Sequence, residues 1–481
     1  VSTPDALPVT ADDGWRRLHP LTPLVRSWKV LAVLLAIVAQ QRGPEIASNG
    51  LPSQREALYG LAGLGVAVVV AGVYGLLSWQ RSQYRVDGDS LQLHTGVLFR
   101  QQRRARLDRL QAVDVVRPLL ARLFGLAELR LEVAGGKNSA IKLSLLREDH
   151  AQALRNTLLA RAAGLAYEGE VAPEAPEREV LAVPVGRTIE ALARSGTTIA
   201  ALLALAALVV VVVITSEPAV LSGFVPIVIG AVTATWGRFQ SAFGFRVATS
   251  PDGVRLHHGL LTTRAQTVPP GRVQAVRLTQ PLLWRGRDWW SLRVNVAGYG
   301  GGGDRNQQSE QGQETVLLTV GTRAEALHVL SLALPAAAAA QRSGPLGEAF
   351  AAGLTGTSSD HGYVVAPRSS RWLDPIGWRR HGVHVDSDLL LLRRGVLVRQ
   401  LDVVPHARTQ SLGVEQGPLQ RMLSVATFVV HSTAGPVKPT IEHLPCAIAG
   451  DLLDQQAERA RLARVGADDR DHGRWMHQPP A

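Results

Sequence analysis

The sequence predicts an α+β membrane protein: three copies of a small β-sandwich or barrel, each closed by a C-terminal helix, with about four transmembrane helices in two hairpins. Three observations lead there. The stretches DRLQAVDVVRPLL (108–120), GRVQAVRLTQPLL (271–283) and ARTQSLGVEQGPL (407–419) repeat one pattern. Uncharged apolar runs of 23, 20 and 19 residues fill 57–79, 197–216 and 219–237. Around them the apolar residues alternate with a period of two and then switch to a helical period, as strands followed by a helix should.

Composition sets the outer bounds. With 481 residues, 46 % of them apolar, and a mean hydropathy of +0.07, the chain needs several units, some of them in lipid. Lys plus Arg number 51 against 40 Asp plus Glu, a balance that suits nucleic acid or an anionic membrane face. The single cysteine, Cys446, excludes an intramolecular disulfide and a cysteine cluster for zinc or iron-sulfur. It reads as a small buried apolar residue. The opening VSTPDALPVTADDGWRRLHP is polar and acidic before any apolar run, the wrong order for a cleavable signal peptide.

A bilayer core takes about 20 apolar residues as helix. The run 57–79, closed by Trp79 with Arg81 beyond it, meets that length. The runs 197–216 and 219–237, separated by Glu217 and Pro218, read as a helical hairpin, with Pro226 a kink in its second arm. WKVLAVLLAIVAQQ (28–41) is shorter, with ten continuous apolar residues from Val30 to Ala39, and is read as the first arm of the other hairpin or a re-entrant segment. Lys and Arg accumulate on the cytoplasmic side of membranes. Arg16, Arg17, Arg26 and Lys29 precede the first run, Arg81 and Arg85 follow the second, Arg187 and Arg194 precede the third, and Arg238 and Arg246 follow the fourth. Both short loops therefore face out and everything else faces the cytoplasm.

Each copy has the same internal order. A constant offset of 163 superposes Gly96 on Gly259, Arg109 on Arg272, Gln111 on Gln274, Pro118 on Pro281 and Ala134 on Ala297. A further offset of 136 carries Gly259 to Gly395, Arg272 to Arg408 and Gln274 to Gln410. SLQLHTGVLFRQ alternates, breaks at Gly96 and resumes, as strand, turn and strand; RLQAVDVV, LAELRLEVAGG and SAIKLSLL add strands. Helical patterns close the copies at 147–164, 322–334 and 446–464.

The order Tyr84, Leu91, Gly96-Val97-Leu98, Arg109-x-Gln111-x-Val113, Leu119-x-x-Arg122, Gly125-Leu126 and Ala134-Gly135 resembles the bacterial pleckstrin-homology-like (PH-like), membrane-flanked domains of the YdbT type, as does WRRLHPLTPLVRSW (15–28) ahead of the first run. The resemblance covers most of the chain and implies three PH-like β-sandwiches and a membrane-bound, non-catalytic role. Copy two departs from it by carrying GRDWWSL (286–292) and a long insertion (299–314), and copy three by having no apolar hairpin before it. The resulting division is a cytoplasmic N-terminal segment (1–27), hairpin one (28–79), domain one (80–165), a linker (166–196), hairpin two (197–237), domain two (238–340), a flexible linker (341–371), domain three (372–465) and a disordered tail (466–481).

Candidate site residues fall into two groups. The cluster RQQRRARLDR (100–109) puts Arg100, Arg103, Arg104 and Arg106 in a domain where 15 Lys plus Arg face 8 Asp plus Glu between residues 81 and 161. Each cation near anionic lipid contributes about 1 kcal/mol, so this domain is placed against the headgroups; a solvated face is the competing reading. The repeated pairs Arg109 and Gln111, Arg272 and Gln274, and Arg408 and Gln410 are taken as neighbours on one strand face. A structural role, bonding the preceding turn, is preferred there over anion or partner binding.

Other motifs carry less. AGGKNSA (134–140) and the insertion 299–314 lack the Gly-Lys-Ser/Thr ending of a phosphate loop and read as turn and mobile loop. His381 and His384 sit on opposite faces of a strand, against a metal site. Trp284, Trp289 and Trp290 are core, membrane anchor or docking patch.

These readings favour a non-catalytic integral membrane protein of the cell inner membrane. Its three cytoplasmic PH-like domains form a protein- or lipid-interaction scaffold, with envelope maintenance or stress as its setting on the family resemblance alone. Its partners are membrane lipids and a protein partner or a second copy, with no cofactor, metal or nucleic acid. The alternative is an accessory subunit of a membrane enzyme or transport complex, against which stands the absence of ionisable residues in the apolar runs.

Overall fold

The structure is a computed structural model that describes residues 15–20, 22, 54–87, 90–96, 100–107, 110–133, 141–162, 177–215, 219–251, 253–269, 271–297, 316–342, 344–433 and 435–474. The chain divides into two compact units, one ending at Glu174 and one beginning at Ala175.

In the first unit, the strands are β1 (Arg16–Arg17), β2 (Gln83–Asp87), β3 (Ser90–Thr95) and β4 (Gln101–Arg106), paired in that order as one sheet. Helix α1 (Gln54–Gln80) stands between β1 and β2. Then follow β5 (Leu110–Pro118), the short α2 (Leu119–Leu123), β6 (Leu126–Val133) and β7 (Ile141–Arg147), which form antiparallel neighbours, and α3 (Glu148–Ala162). Alternation drives the packing: Leu91 and Leu93 of β3 meet Val113 of β5, Leu129 and Leu131 of β6, Leu143 of β7 and Leu158 of α3 in one buried cluster. α3 opens with Glu148 and Asp149, which its dipole favours, and Glu148 pairs with Arg117.

The second unit holds copies two and three. Copy two contains β8 (Arg178–Ala182), α4 (Val185–Ala193), α5 (Gly196–Thr215), α6 (Ala219–Ala242), β9 (Arg246–Ser250), β10 (Gly253–His258) and β11 (Thr262–Val268). It continues with β12 (Val273–Pro281), a 3-10 turn (Leu282–Arg287), β13 (Trp289–Val296), β14 (Val316–Thr322) and α7 (Arg323–Ala333). Copy three contains α8 (Pro345–Thr355), β15 (Val364–Val365), β16 (Gly382–Val385), β17 (Leu389–Arg394) and β18 (Val398–Pro405). Its second half is β19 (Ser411–Glu415), α9 (Pro418–Met422), β20 (Val425–His431), β21 (Thr440–Pro445) and α10 (Cys446–Arg474). A capping box starts α7: Glu325 N donates to Thr322 Oγ1 at 3.3 Å and Thr322 N donates to Glu325 Oε2 at 2.7 Å.

The three copies share one topology at their repeated glycine. Gly96 joins β3 to β4, Gly259 joins β10 to β11, and Gly395 joins β17 to β18, with φ of 100°, 113° and 75°. Only glycine holds that backbone region without strain. A Cβ on Gly259 would stand 2.0 Å from the Thr262 carbonyl oxygen, and one on Gly395 2.2 Å from that of Val398.

Several expected boundaries move. Each copy begins with a strand expected to lie outside it, ahead of the apolar segment in copies one and two: β1 pairs with β2 at Arg16 and Tyr84, β8 with β9 at Ala182 and Arg246, and β15 with β16 at Val365 and Gly382. The end of the 166–196 linker and the N-terminal segment therefore supply a first strand, because a sheet edge gains backbone bonds from it. The 341–371 segment, expected to be a flexible linker, is folded, with Phe350, Leu354 and Tyr363 of and after α8 at most 2 % exposed. Helix α10 runs on to Arg474 through part of the expected tail, and Cys446 is exposed where burial was expected.

The four expected spans are also revised. Among the described residues, one helix stretch, Gly196–Ile214, is long and apolar enough to cross a membrane, and only 6 % of it is buried. A core helix of a soluble protein would be covered. α1 extends over 27 residues, but its described apolar stretch, Val68–Gln80, is too short to cross by the same measure. The run at 28–41, the turn at 134–140 and the insertion at 299–314 lie outside the described residues.

Replacing Gly395 with Ala is expected to cost about 2 kcal/mol, whereas Gly60→Ala, which meets open space on α1, should be neutral. Intrinsic tryptophan fluorescence during thermal unfolding of the detergent-solubilised chain measures both.

Candidate membrane-facing surface and domain junction

Where α5 and α6 leave the β-sheet, their two ends are held together. β8 runs into α4 and then α5, while α6 returns into β9, and Val183 N donates to Phe245 O at 2.8 Å. Across the helix pair, Arg238 donates to Thr197 Oγ1. The β10–β11 turn closes on the same foot, Gly259 N donating to Phe243 O at 2.8 Å and Leu260 N to Gln240 O at 3.0 Å. His258 Nδ1–H donates to Ser241 O at 2.9 Å and its ring stacks on Phe245.

The corner after β12 is seated against this foot. Trp284 Nε1–H donates to Ala191 O of α4 at 3.0 Å, Arg287 pairs with Glu190 at 3.2 Å, and Arg194 lies 5.8 Å over the Trp289 ring. The three tryptophans are thus packed, Trp284, Trp289 and Trp290 being 8 %, 6 % and 0 % exposed. The leucines beside them are not: Leu282 and Leu283 are each 48 % exposed. Arg285 reaches the next domain, donating to the carbonyls of Val396 and Leu397 in the β17–β18 turn. In the connection between β15 and β16, burial first, and then the charges of Arg399, Arg393 and Arg285, lower the proton affinity of Arg380.

Domains two and three join through their backbones. β12 pairs with β18 antiparallel from Val276 opposite Val403 to Pro281 opposite Val398, making a seven-stranded sheet in the order β14-β13-β12-β18-β17-β16-β15. Arg277 and Asp402 face each other in that register, and the guanidinium grips the carboxylate with Nε to Oδ1 at 2.6 Å and Nη2 to Oδ2 at 2.8 Å. Asp402 is fully buried, with Arg394 a second cation at 3.6 Å. Asn295 of β13 completes the seam, its Nδ2 donating to Val437 O at 2.6 Å while Val437 N donates to its Oδ1 at 2.9 Å.

The residues singled out from sequence are distributed unevenly. Arg100, Arg104 and Arg106 are exposed and Arg103 is half-buried, the last three on β4, an edge strand of its sheet. Arg104 Nε donates to Ser90 Oγ at 3.1 Å and Arg103 to Gln101 Oε1 at 3.4 Å. Arg109 lies outside the described residues, and Gln111 falls in β5. Arg272 and Arg408 precede their strands, so the expected shared strand face with Gln274 and Gln410 is not formed. Gln274 is buried and donates to Arg272 O at 3.3 Å, a bond to the turn, whereas Gln410 is exposed and contributes its backbone N–H to His431 O at 3.1 Å. His381 accepts or donates no shared site with His384: its Nδ1–H meets Glu442 O at 3.1 Å and its Nε2 meets Asp374 at 3.3 Å.

Sequence reasoning missed the Arg277–Asp402 pair and the exposed leucines of the corner. The leucines had a signal, since apolar residues follow the repeated proline in each copy: Leu119 and Leu123 are 43 % and 77 % exposed, and Leu419 and Met422 are 63 % and 81 %. The ion pair had none, because register between copies is not written in either copy.

Repeated β-sandwiches with an exposed apolar helix projecting from the first strand pair define a membrane protein built from tandem modules. The chain belongs to the Bacterial PH domain family, which it matches three times, over residues 32–162, 191–332 and 329–460. It is similar to the UPF0699 transmembrane protein YdbT of Bacillus subtilis (strain 168), 21 % identical over 305 residues that cover 58 % of this chain and 61 % of that protein. The chain thus spans about three fifths of the length of this curated relative. No solved structure matches it.

Two outcomes follow. Asp402→Ala leaves the partly buried Arg277 guanidinium without its carboxylate and should cost about 3 kcal/mol, the lower end for a broken buried pair, read as a lower unfolding midpoint, while Arg277→Met with Asp402→Leu should restore much of it. Burial and the nearby Arg264 charge depress His258 to about 4 from 6.5. The unfolded chain then binds more protons between those values, so stability present above pH 6.5 is lost as pH falls toward 4, at up to roughly 1.4 kcal/mol per pH unit. A His258→Gln variant should flatten that pH profile of the melting temperature.

Proposed function

We propose that the chain is a non-catalytic, multi-pass membrane scaffold that holds its three PH-like domains against the cytoplasmic leaflet for binding lipid headgroups and a protein partner or a second copy. The observation that carries this reading is the placement of the α5–α6 pair between two hydrogen-bonded strands. A helix pair inserted there leaves and re-enters the sandwich on one side, with α4 as its only spacer, so the domain is kept at the surface without a flexible tether. The Arg-rich flanks of the apolar runs support a cytoplasmic setting. Short tethering raises local concentration, so individually weak contacts suffice.

Domain one adds a basic edge. β4 reads QQRRAR, whereas β18, its counterpart in copy three, is paired on both sides. Charge on an open edge deters strand addition and attracts anionic lipid. Reversal at Arg103→Glu with Arg104→Glu in the full chain should speed amide exchange in β3 and β4 several-fold in bilayers containing phosphatidylglycerol. It should have no such effect in pure phosphatidylcholine. Equal exchange in both lipids for the unsubstituted chain would count against lipid contact by this domain.

A further inference from the structure

In copy three no helix pair separates the first two strands. Residues 366–381, APRSSRWLDPIGWRRH, fill the place between β15 and β16 that α4, α5 and α6 fill between β8 and β9. This loop is built to hold a shape. Ser370 is fully buried and donates to His443 O at 3.3 Å; Asp374 accepts from Gly377 N at 2.7 Å and pairs with His381 at 3.3 Å. Arg380, 2 % exposed, donates to the carbonyls of Gly353, Leu354 and Gly356 at the end of α8. On that frame Trp372 and Ile376 project, 75 % and 63 % exposed, with the cations Arg368, Arg371 and Arg379 exposed around them. Asp374 is the one carboxylate in the loop, and it is engaged by His381.

The loop also lies at the end of the sheet that faces the helix foot of copy two. In an antiparallel order β15-β16-β17-β18, the β15–β16 connection and the β17–β18 turn share one end, two strand spacings or about 10 Å apart. That turn receives Arg285 from the corner whose Trp284 is bonded to Ala191 of α4, five residues before α5 begins. Leu397 of the turn, 61 % exposed, and Leu282 and Leu283 of the corner beside it, 48 % each, add exposed apolar residues at this end.

We infer that the 366–381 loop is a third membrane contact, a shallow anchor that inserts Trp372 and Ile376 into the headgroup region of the bilayer that α5 crosses while Arg368, Arg371 and Arg379 engage anionic lipid. Tryptophan at a membrane interface keeps its apolar body in the acyl boundary and its N–H in the wet layer. Arginine guanidiniums reach phosphates while their stems cover apolar surface. Copy three thus replaces a pair of spanning helices by an interfacial wedge on the same site of the fold. The rigid β12–β18 seam presents it at the level set by copy two.

The inference rests on the membrane reading above, and one labelling series separates the two. Nitroxide labels are placed singly at Ile376→Cys, Ile214→Cys and Ser387→Cys in a Cys446→Ser background of the full chain. They are reconstituted in phosphatidylcholine doped with phosphatidylglycerol, and oxygen and nickel-chelate accessibilities are compared. Position 214 should report acyl-chain depth and position 387, in the turn at the opposite end of the domain-three sheet, should report water. Position 376 should report headgroup depth. Arg368→Glu, Arg371→Glu and Arg379→Glu together should lower its oxygen-to-nickel ratio several-fold. A water-like value at 376 with an acyl-chain value at 214 overturns this anchor and leaves the membrane reading standing, while a water-like value at 214 overturns both. A label at 376 already immobile in detergent and unchanged on reconstitution also overturns it, because a protein surface then covers the loop.

Discussion

Strand β12 has one edge satisfied by β13 and offers the other to β18, and the structure of copies two and three is arranged around that second set of backbone bonds. Buried N–H and C=O groups must be paired. Pairing them across the repeat boundary turns two sandwiches into a single body, with Ala275 of one copy inside the core of the other. The buried Asp402 carboxylate is tolerated there because Arg277 meets it with two bonds and Arg394 adds charge. A one-residue slip would place Arg277 opposite an apolar neighbour, so the pair specifies register as well as joining the strands.

The helix pair has an analogous dependence on strand pairing. Its insertion between β8 and β9 means that neither helix needs a long connection, and the bonds from Val183, Gly259 and Leu260 to the returning chain fix the foot on several sides. Tryptophans that from composition alone suit a lipid interface are used instead to pack the corner under α4, with Trp284 giving its N–H to a helix carbonyl. The exposed leucines beside them are the part of the corner left to face outward.

Repetition made most of the fold legible. Gly96, Gly259 and Gly395 marked the same turn in three places because a left-handed backbone angle tolerates almost no other residue. The long apolar run at 197–216 was equally plain, since length and absence of charge are properties of the segment alone. The Arg-x-Gln signature misled in part: its spacing suggested one strand face, but Arg272 and Arg408 stand ahead of their strands, and of the two described glutamine side chains only Gln274 is turned inward. Local spacing does not say where a strand starts when a neighbouring turn takes the first residue.

The sequence by itself determined three copies, their strand-rich character, their closing helices and an apolar helix long enough to cross a bilayer. All of these rest on periodicity and composition along the chain. Tertiary structure decided that the first strand of copies one and two precedes the apolar segment, that 341–371 folds onto domain three, and that β12 and β18 share a sheet. Those outcomes depend on which backbone edges meet, and edge pairing has no residue code of its own: every residue but proline offers the same donor and acceptor, and the partner can lie more than a hundred positions away.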